Sequence, residues 1–384
     1  MTQSLALGYI PLVDAAPLIV AAEFGFAEEE GLHLDLQPAA SWSMLRDMLD
    51  FGQVAAAQML SVVPVARALG LGGGAQPLET ALVLSLNGQV LGVSEQVAAR
   101  LGPLAFGAPQ AAGQAIAALG GRLRIGVPFP FSMQAELLHY WLERAAPGVC
   151  VDIRTVPPPR MAAALLADEI DGFCVGEPWG SHAVEMAGAR LLFAGSAIWS
   201  QAPEKVLACR RGWMAEHPDA AGRLLRAVWR ATRWAAEAEN LTTLAEVLAQ
   251  RAYLDVQPEL IDRALAGRLL VSSAGPEVRV PQFLTLHRGA ASFPWRSQAA
   301  WIGARLAARS GIDPVAAMDS ARATFRSDLF RLHLGAVGAA MPRASDKIEG
   351  GLEQAEAVAG VAAPVILERN RFFDGAVFDP AVSA

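Results

Sequence analysis

Hydrogen-bond donors of several kinds stand along this chain where they can serve a small anion. The run Ile170-Asp171-Gly172-Phe173-Cys174-Val175 is apolar and of strand length. Gly176-Glu177-Pro178 breaks it and opens a helix, with proline near the first helical turn. In an open α/β sheet the carboxyl end of such a strand is where small ligands sit, so the backbone N–H groups of Val175 and Gly176 face that space. Lys205, in Ala202-Pro203-Glu204-Lys205, brings a cation to the start of a later strand. Cation and N–H groups together suit a small oxyanion. The other reading of Lys205 is a solvated lysine, and in either reading a strand-start lysine is not expected to support a core. Trp42 follows Ser41, an N-cap residue type, at a helix N-terminus. Free N–H groups and the helix dipole favour an anion there, and the indole N–H is a donor only. Trp42 reads equally as a core tryptophan. Gln89 follows Asn87-Gly88 at a strand end. Its amide can donate to an oxyanion or sit on a surface turn.

The elements that must position these groups alternate between strand and helix. Leu5 to Ile10 reads as a strand, Leu18 to Phe24 as a helix stopped by Gly25, and Leu32 to Leu36 as an alternating strand. A helix from Ser41 to Leu49, a strand and turn from Gln53 to Leu60, a helix from Val62 to Leu69 and a strand from Ala81 to Leu86 follow. This βαβα order predicts a parallel sheet with helices on both faces. Gly72-Gly73-Gly74 lacks the Gly-Lys-Ser/Thr ending of a phosphate loop and reads as a turn. Two helical stretches between Ser94 and Gly120, strands at Leu123–Val127 and Val151–Val156, and a helix from Met133 to Arg144 lead back to the Asp171 strand. A second lobe is expected at 88–199, with crossovers near Asn87 and Ser200 that leave 1–87 and 200–384 to the first. The chain from Trp213 to Leu334 is patterned as helix, and Val337 to Ala363 as loop.

Composition narrows the function. A chain of 384 residues, 53% hydrophobic and 18% charged, can bury two cores. A net charge of −7 argues against direct nucleic-acid binding. Cys150, Cys174 and Cys209 are too few and too scattered for a metal motif or a disulfide framework, and they read as buried thiols. His33, His182, His217, His287 and His333 show no ligand spacing, and His139 reads as a helix-face residue. No nucleophile–base constellation is evident, so an enzyme is not expected. No window reaches the ~18 apolar residues of a membrane span. Met1-Thr2-Gln3-Ser4 runs straight into a strand without a basic region, an apolar stretch or a cleavage site, and the expectation from this is a cytoplasmic protein.

Several motifs carry a family resemblance. They are Gly8-Tyr9-Ile10-Pro11-Leu12-Val13-Asp14-Ala15-Ala16-Pro17-Leu18, Ala40-Ser41-Trp42 with Arg46-Asp47, Tyr140-Trp141-Leu142, and the Asp171–Trp179 stretch. Pro203-Glu204-Lys205, Ala291-Ser292-Phe293-Pro294, Phe372-Phe373-Asp374-Gly375 and Phe378-Asp379-Pro380 continue the series. In this order they resemble the nitrate- and bicarbonate-binding solute receptors of bacterial ABC transporters and, within that family, its soluble nitrate/nitrite sensors. The resemblance implies an α/β fold of the type II periplasmic-binding-protein kind, two lobes with a ligand cleft between them. It implies nitrate or nitrite as ligand, contacted by Trp42, Gln89, Gln134, Pro158, Val175, Gly176 and Lys205. Gln134 departs from the family's nitrate receptors, which carry histidine there; an amide donates but takes no proton charge. Lysine at position 205 goes with nitrate in the family, whereas bicarbonate receptors carry an acidic residue and use calcium, so no metal or cofactor is implied. The sensors hold a NasT-like RNA-binding antiterminator and release it on anion binding, which implies such a protein partner. The alternatives within reach of the fold are a transport receptor for nitrate or a sulfonate and a biosynthetic enzyme of the thiamin-pyrimidine type, whose cysteine-rich run is absent.

Overall fold

The computed structural model describes residues 2–74 and 76–381. The strands of the amino-terminal part are β1 (Gln3–Tyr9), β2 (Leu32–Pro38), β3 (Ala56–Leu60) and β4 (Leu78–Asn87). In β2 the alternation of Leu32 and Leu34 with His33 and Asp35 puts the leucines in the core and the polar pair in solvent. Every residue of β4 is buried, as in a strand covered on both faces. The chain then builds β5 (Gln89–Val93), β6 (Arg122–Val127), β7 (Cys150–Thr155), β8 (Gly172–Gly176) and β9 (Arg190–Ala194). It returns through β10 (Pro203–Arg210), makes a small hairpin of β11 (Arg268–Leu270) and β12 (Glu277–Arg279), and adds β13 (Leu284–Thr285) at an edge.

Apart from the β11–β12 hairpin, these strands form two sheets, and hence two lobes. One has the order β13-β4-β10-β3-β1-β2 and the other β7-β6-β8-β5-β9. The sheets are mixed, where the βα alternation predicts parallel ones. β10 runs antiparallel to β3 and β4, and β5 runs antiparallel to β8 and β9. The reason lies in the crossings. β4 runs out of the first sheet and continues as β5 with only Gly88 between them, and β9 leads back into β10. A strand that enters a sheet from the side facing its partner sheet must run against the strands that end on that side. The carboxyl ends of β1, β3, β4 and β8 therefore meet the starts of β5 and β10 at the junction of the lobes.

The crossing at Gly88 is tightly built. Asn87 and Gly88 both have positive φ, 56° and 92°. The φ of Gly88 favours glycine, and a Cβ there would also push on Leu284 Cδ1, 2.8 Å away. Asn87 Nδ2 donates to Ser200 O at 2.9 Å and ties the two crossings together. The lobes touch directly as well: Val13 N donates to Glu177 O at 3.0 Å, and Trp179 Nε1 donates to Pro11 O at 2.8 Å.

After β10 the chain is mostly helical, with Pro218–Ala236 and Arg296–Ser310 the longest helices, and then irregular. Within the expected loop from Val337 to Ala363 stands one short strand, Glu356–Val358, paired with Val365–Leu367. The segment around Phe372 packs on both lobes. Phe372 stacks on Trp199 at 4.9 Å and on Trp301 at 5.7 Å, and it lies 5.2 Å from Tyr140. Tyr140 Oη donates to Asp374 at 2.9 Å.

Candidate functional site

Lys205 lies in a bulged part of β10, where the pairing with β4 shifts register on either side of it. A bulge re-aims side chains. Here it lets the neighbours Glu204 and Lys205 meet, although successive residues of a regular strand point to opposite faces. Lys205 Nζ lies 2.7 Å from Glu204 Oε1 and 2.8 Å from Asp14 Oδ2. Lys205 and Glu204 are both 0% exposed, so the lysine is a core ion and not the solvated strand-start residue that sequence reading allows. Asp14, in the single turn Val13–Ala15 that follows β1, also accepts from Gln58 Nε2 at 2.6 Å. Gln58 in turn accepts from Ile10 N at 2.9 Å through Oε1. The cluster thus draws on the carboxyl ends of β1 and β3 and the start of β10.

Trp42 completes the first lobe's share. Ser41 caps the helix Trp42–Asp50 by accepting from Met44 N, as expected. The Trp42 ring lies 5.4 Å from Lys205 Nζ and is buried. From the second lobe comes Gln134, in the first turn of the helix Met133–Ala145, whose Nε2 donates to Glu204 Oε1 at 2.6 Å. Gly176 stands beside it: a Cβ on Gly176 would lie 4.0 Å from Gln134 Nε2. Gln89 pairs in register with Gly176, and Val90 with Val175. Gln89 is packed against Gly195, where a Cβ would come within 2.6 Å of its amide. Trp42, Gln89, Gln134, Val175, Gly176 and Lys205 are thereby linked across the junction of the lobes. Pro158 enters none of these contacts; it is buried in the turn Pro158–Arg160.

Hydrogen-bond capacity is left over here. Among the described residues, Trp42 Nε1, both amide atoms of Gln89, Gln134 Oε1 and Glu204 Oε2 are buried without partners. Buried polar atoms are nearly always paired in folded proteins, so these five are hydrogen-bonding capacity that a bound group could use; other buried atoms, such as Ser85 Oγ and Ser292 Oγ, are likewise without partners. Burial raises the Asp14 and Glu204 carboxyls above the usual carboxylate range, and Lys205 pulls against it. Burial also works against the Lys205 ammonium, but the Asp14 and Glu204 carboxylates outweigh it and hold its pKa above the ordinary lysine value. Sequence reading missed Asp14, Gln58 and Glu204. Their signal was a polar residue inside an apolar run: Gln58 within Ala55–Leu60, and Glu204 beside Lys205 at the head of an apolar strand.

A profile of the NMT1-like family matches residues 1–249. The chain belongs to the NMT1-like family. This NMT1-like chain is 29% identical to the nitrate/nitrite binding protein NrtA of Nostoc sp., over 99% of its own length and 83% of that protein's. It is 32% identical to the nitrate import ATP-binding protein NrtC of Synechocystis sp. over 81% of its own length, and spans only 46% of that longer protein. The crystal structure of the periplasmic nitrate-binding protein NrtA from Synechocystis superposes with a TM-score of 0.84 at 25% identity, covering 99% of this chain and 96% of that one. The two-lobed α/β periplasmic-binding-protein fold is thus the one observed, and the NMT1-like relatives of this size are solute-binding proteins. The expectation of a cytoplasmic protein is overturned. The solved relative that matches nearly the whole chain is periplasmic, and the first residues of the sequence carry no weight against that match. No helix among the described residues is long and apolar enough to cross a membrane.

Proposed function

We propose that the chain is a solute receptor that binds nitrate or nitrite between its lobes, at Trp42, Gln89, Gln134, Gly176 and Lys205. The observation that carries this reading is the pair of buried, unpartnered donors, Trp42 Nε1 and Gln89 Nε2, in one linked cluster with the Lys205 ammonium. Nitrate and nitrite are planar, small and acceptor-only, and they satisfy such donors without needing acceptors in return. Val175 and Pro158 belong to the walls of the same site in this reading. The relatives' names support it, since both NrtA proteins are described as binding nitrate.

Calcium-assisted bicarbonate binding fits less well, because Lys205 Nζ already stands between two carboxylates, at 2.8 and 2.7 Å, where a cation would sit. Titration calorimetry with nitrate, nitrite, bicarbonate with calcium, and a short alkanesulfonate tests the reading. Nitrate or nitrite binding is expected. Calcium-dependent bicarbonate binding without nitrate binding would refute it.

The finer sequence reading, a NasS-like sensor that holds a NasT-like antiterminator, uses the same anion site and differs in the partner. It drew its support from the family resemblance and from a cytoplasmic placement, and the periplasmic relative counts against the second of these. Delivery of bound nitrate to a permease and ATPase is the outcome expected of a receptor. Release of a co-purified RNA-binding protein by nitrate would favour the sensor.

A further inference from the structure

We propose that Glu204 takes up one proton when the anion binds, so that the site loads an anion and a proton together. The inference rests on the anion site proposed above. Its first ground is charge. Asp14, Glu204 and Lys205 are a buried group of two carboxylates and one ammonium, in contact at 2.8 and 2.7 Å. With both carboxylates ionised the group is net negative before any ligand arrives. An anion placed against Lys205 adds a second uncompensated negative charge where water is excluded, and a proton removes it.

The second ground is hydrogen bonding, and it singles out one carboxylate. Asp14 has both oxygens engaged, Oδ1 by Gln58 and Oδ2 by Lys205. Glu204 Oε1 accepts from both Lys205 and Gln134, while Oε2 is buried and has no partner among the described residues. An ionised Oε2 can only accept, so beside an acceptor-only ligand it would set lone pairs against lone pairs. A protonated Oε2 donates. The proton passes from solvent to Glu204 Oε2 and no bond of the anion is made or broken. Gln134 Nε2 already gives one of its two N–H groups to Glu204 Oε1, and its Oε1, an acceptor, is left without a partner.

The remaining neighbours leave the proton to Glu204. From β10 and the turn after β1 the titratable groups facing it are Lys205 and Asp14; from β8 it is the Cys174 thiol, and from the helix Met133–Ala145 the neutral Gln134. Burial pushes the Cys174 thiol up, so it is already protonated and takes no further proton. The ammonium of Lys205 is likewise fully protonated.

The test is calorimetry of the purified protein with sodium nitrate at about pH 8, in two buffers of different ionisation enthalpy. The expected result is close to one proton taken up per anion, and a Kd that rises about tenfold per pH unit above the point where Glu204 ionises in the free protein. Glu204→Gln keeps the size and a donor but cannot titrate, so its proton count should fall to zero and its Kd should not change with pH. Nitrate binding by the wild type without proton uptake overturns the inference and leaves the anion site standing. Proton uptake that persists in Glu204→Gln also overturns it, by placing the proton elsewhere. No nitrate binding between about pH 5 and 9 removes both the inference and the site. The wild-type proton count decides the matter even if the variant does not fold.

Discussion

Replacing Lys205 by methionine separates its role in the fold from its role in binding. Methionine nearly fills the volume of the lysine stem but leaves Asp14 and Glu204 buried at 4% and 0% exposure without their ammonium. Removing one partner of a buried ion pair costs roughly 3–5 kcal/mol, because the charge left behind is uncompensated. Here one lysine serves two carboxylates, so Lys205→Met should lose at least about that much at pH near 8. The sign of the pH dependence follows. Burial already raises both carboxyls, and without the ammonium they rise further. A raised carboxyl stabilises the fold only while protonated, so the deficit of the variant should shrink as pH falls towards about 5. Urea unfolding followed by tryptophan fluorescence, at both pH values, measures it. Adding Glu204→Gln should return part of the loss by removing one of the stranded charges. The folded fraction should bind nitrate about 10- to 150-fold more weakly, the equivalent of a charge-assisted hydrogen bond of roughly 1.5–3 kcal/mol. A variant as stable as wild type at about pH 8 would refute the claim that the ammonium holds two ionised carboxylates in the core.

Trp42→Phe keeps one ring and deletes the unpartnered Nε1; nitrate affinity should fall by about 10-fold or more in calorimetry, with some loss of stability from the smaller ring in a buried position. Gly195→Ala puts a methyl within 2.6 Å of the Gln89 amide, so it should displace that side chain and weaken binding about 10-fold, whereas unchanged affinity would remove Gln89 from the site. Burial raises the Glu177 carboxyl from 4.5 to about 7. Because the unfolded chain releases this proton first, stability should drop by about 3 kcal/mol between roughly pH 4.5 and 7. Glu177→Gln should flatten that part of a urea-midpoint profile against pH.

The alternation of strand and helix and the positions of most elements were legible in the sequence, because apolar periodicity reports burial directly. Leu32 to Leu36 and Met133 to Arg144 are strand and helix as read. The direction of β10 was not legible, since periodicity says nothing of which end a strand enters from. Trp42, Gln89 and Lys205 were grouped into one candidate site by family resemblance, as a residue-by-residue reading leaves each of them with an ordinary alternative. The acidic half of the site stayed hidden for a physical reason. Asp14 and Glu204 are buried only because a bulge and a turn deliver a lysine to both, and neither the bulge nor the turn's destination is written in local composition.

The single residue between β4 and β5 also sets the lever arms of the molecule. When one lobe swings on the other about Asn87 and Gly88, each atom of the moving lobe sweeps an arc in proportion to its distance from that pivot. Gln89 is the next residue and is pinned against Gly195 near the second crossing. It therefore stays almost still while Gln134, carried at the head of a helix, travels. In the proposed reading, an anion entering the gap would meet Gln89 and the residues of the first lobe in nearly their final places, and Gln134 would arrive with a closing movement. In that reading geometry sets the order of engagement before any difference in strength: a stationary seat first, and a travelling clasp last.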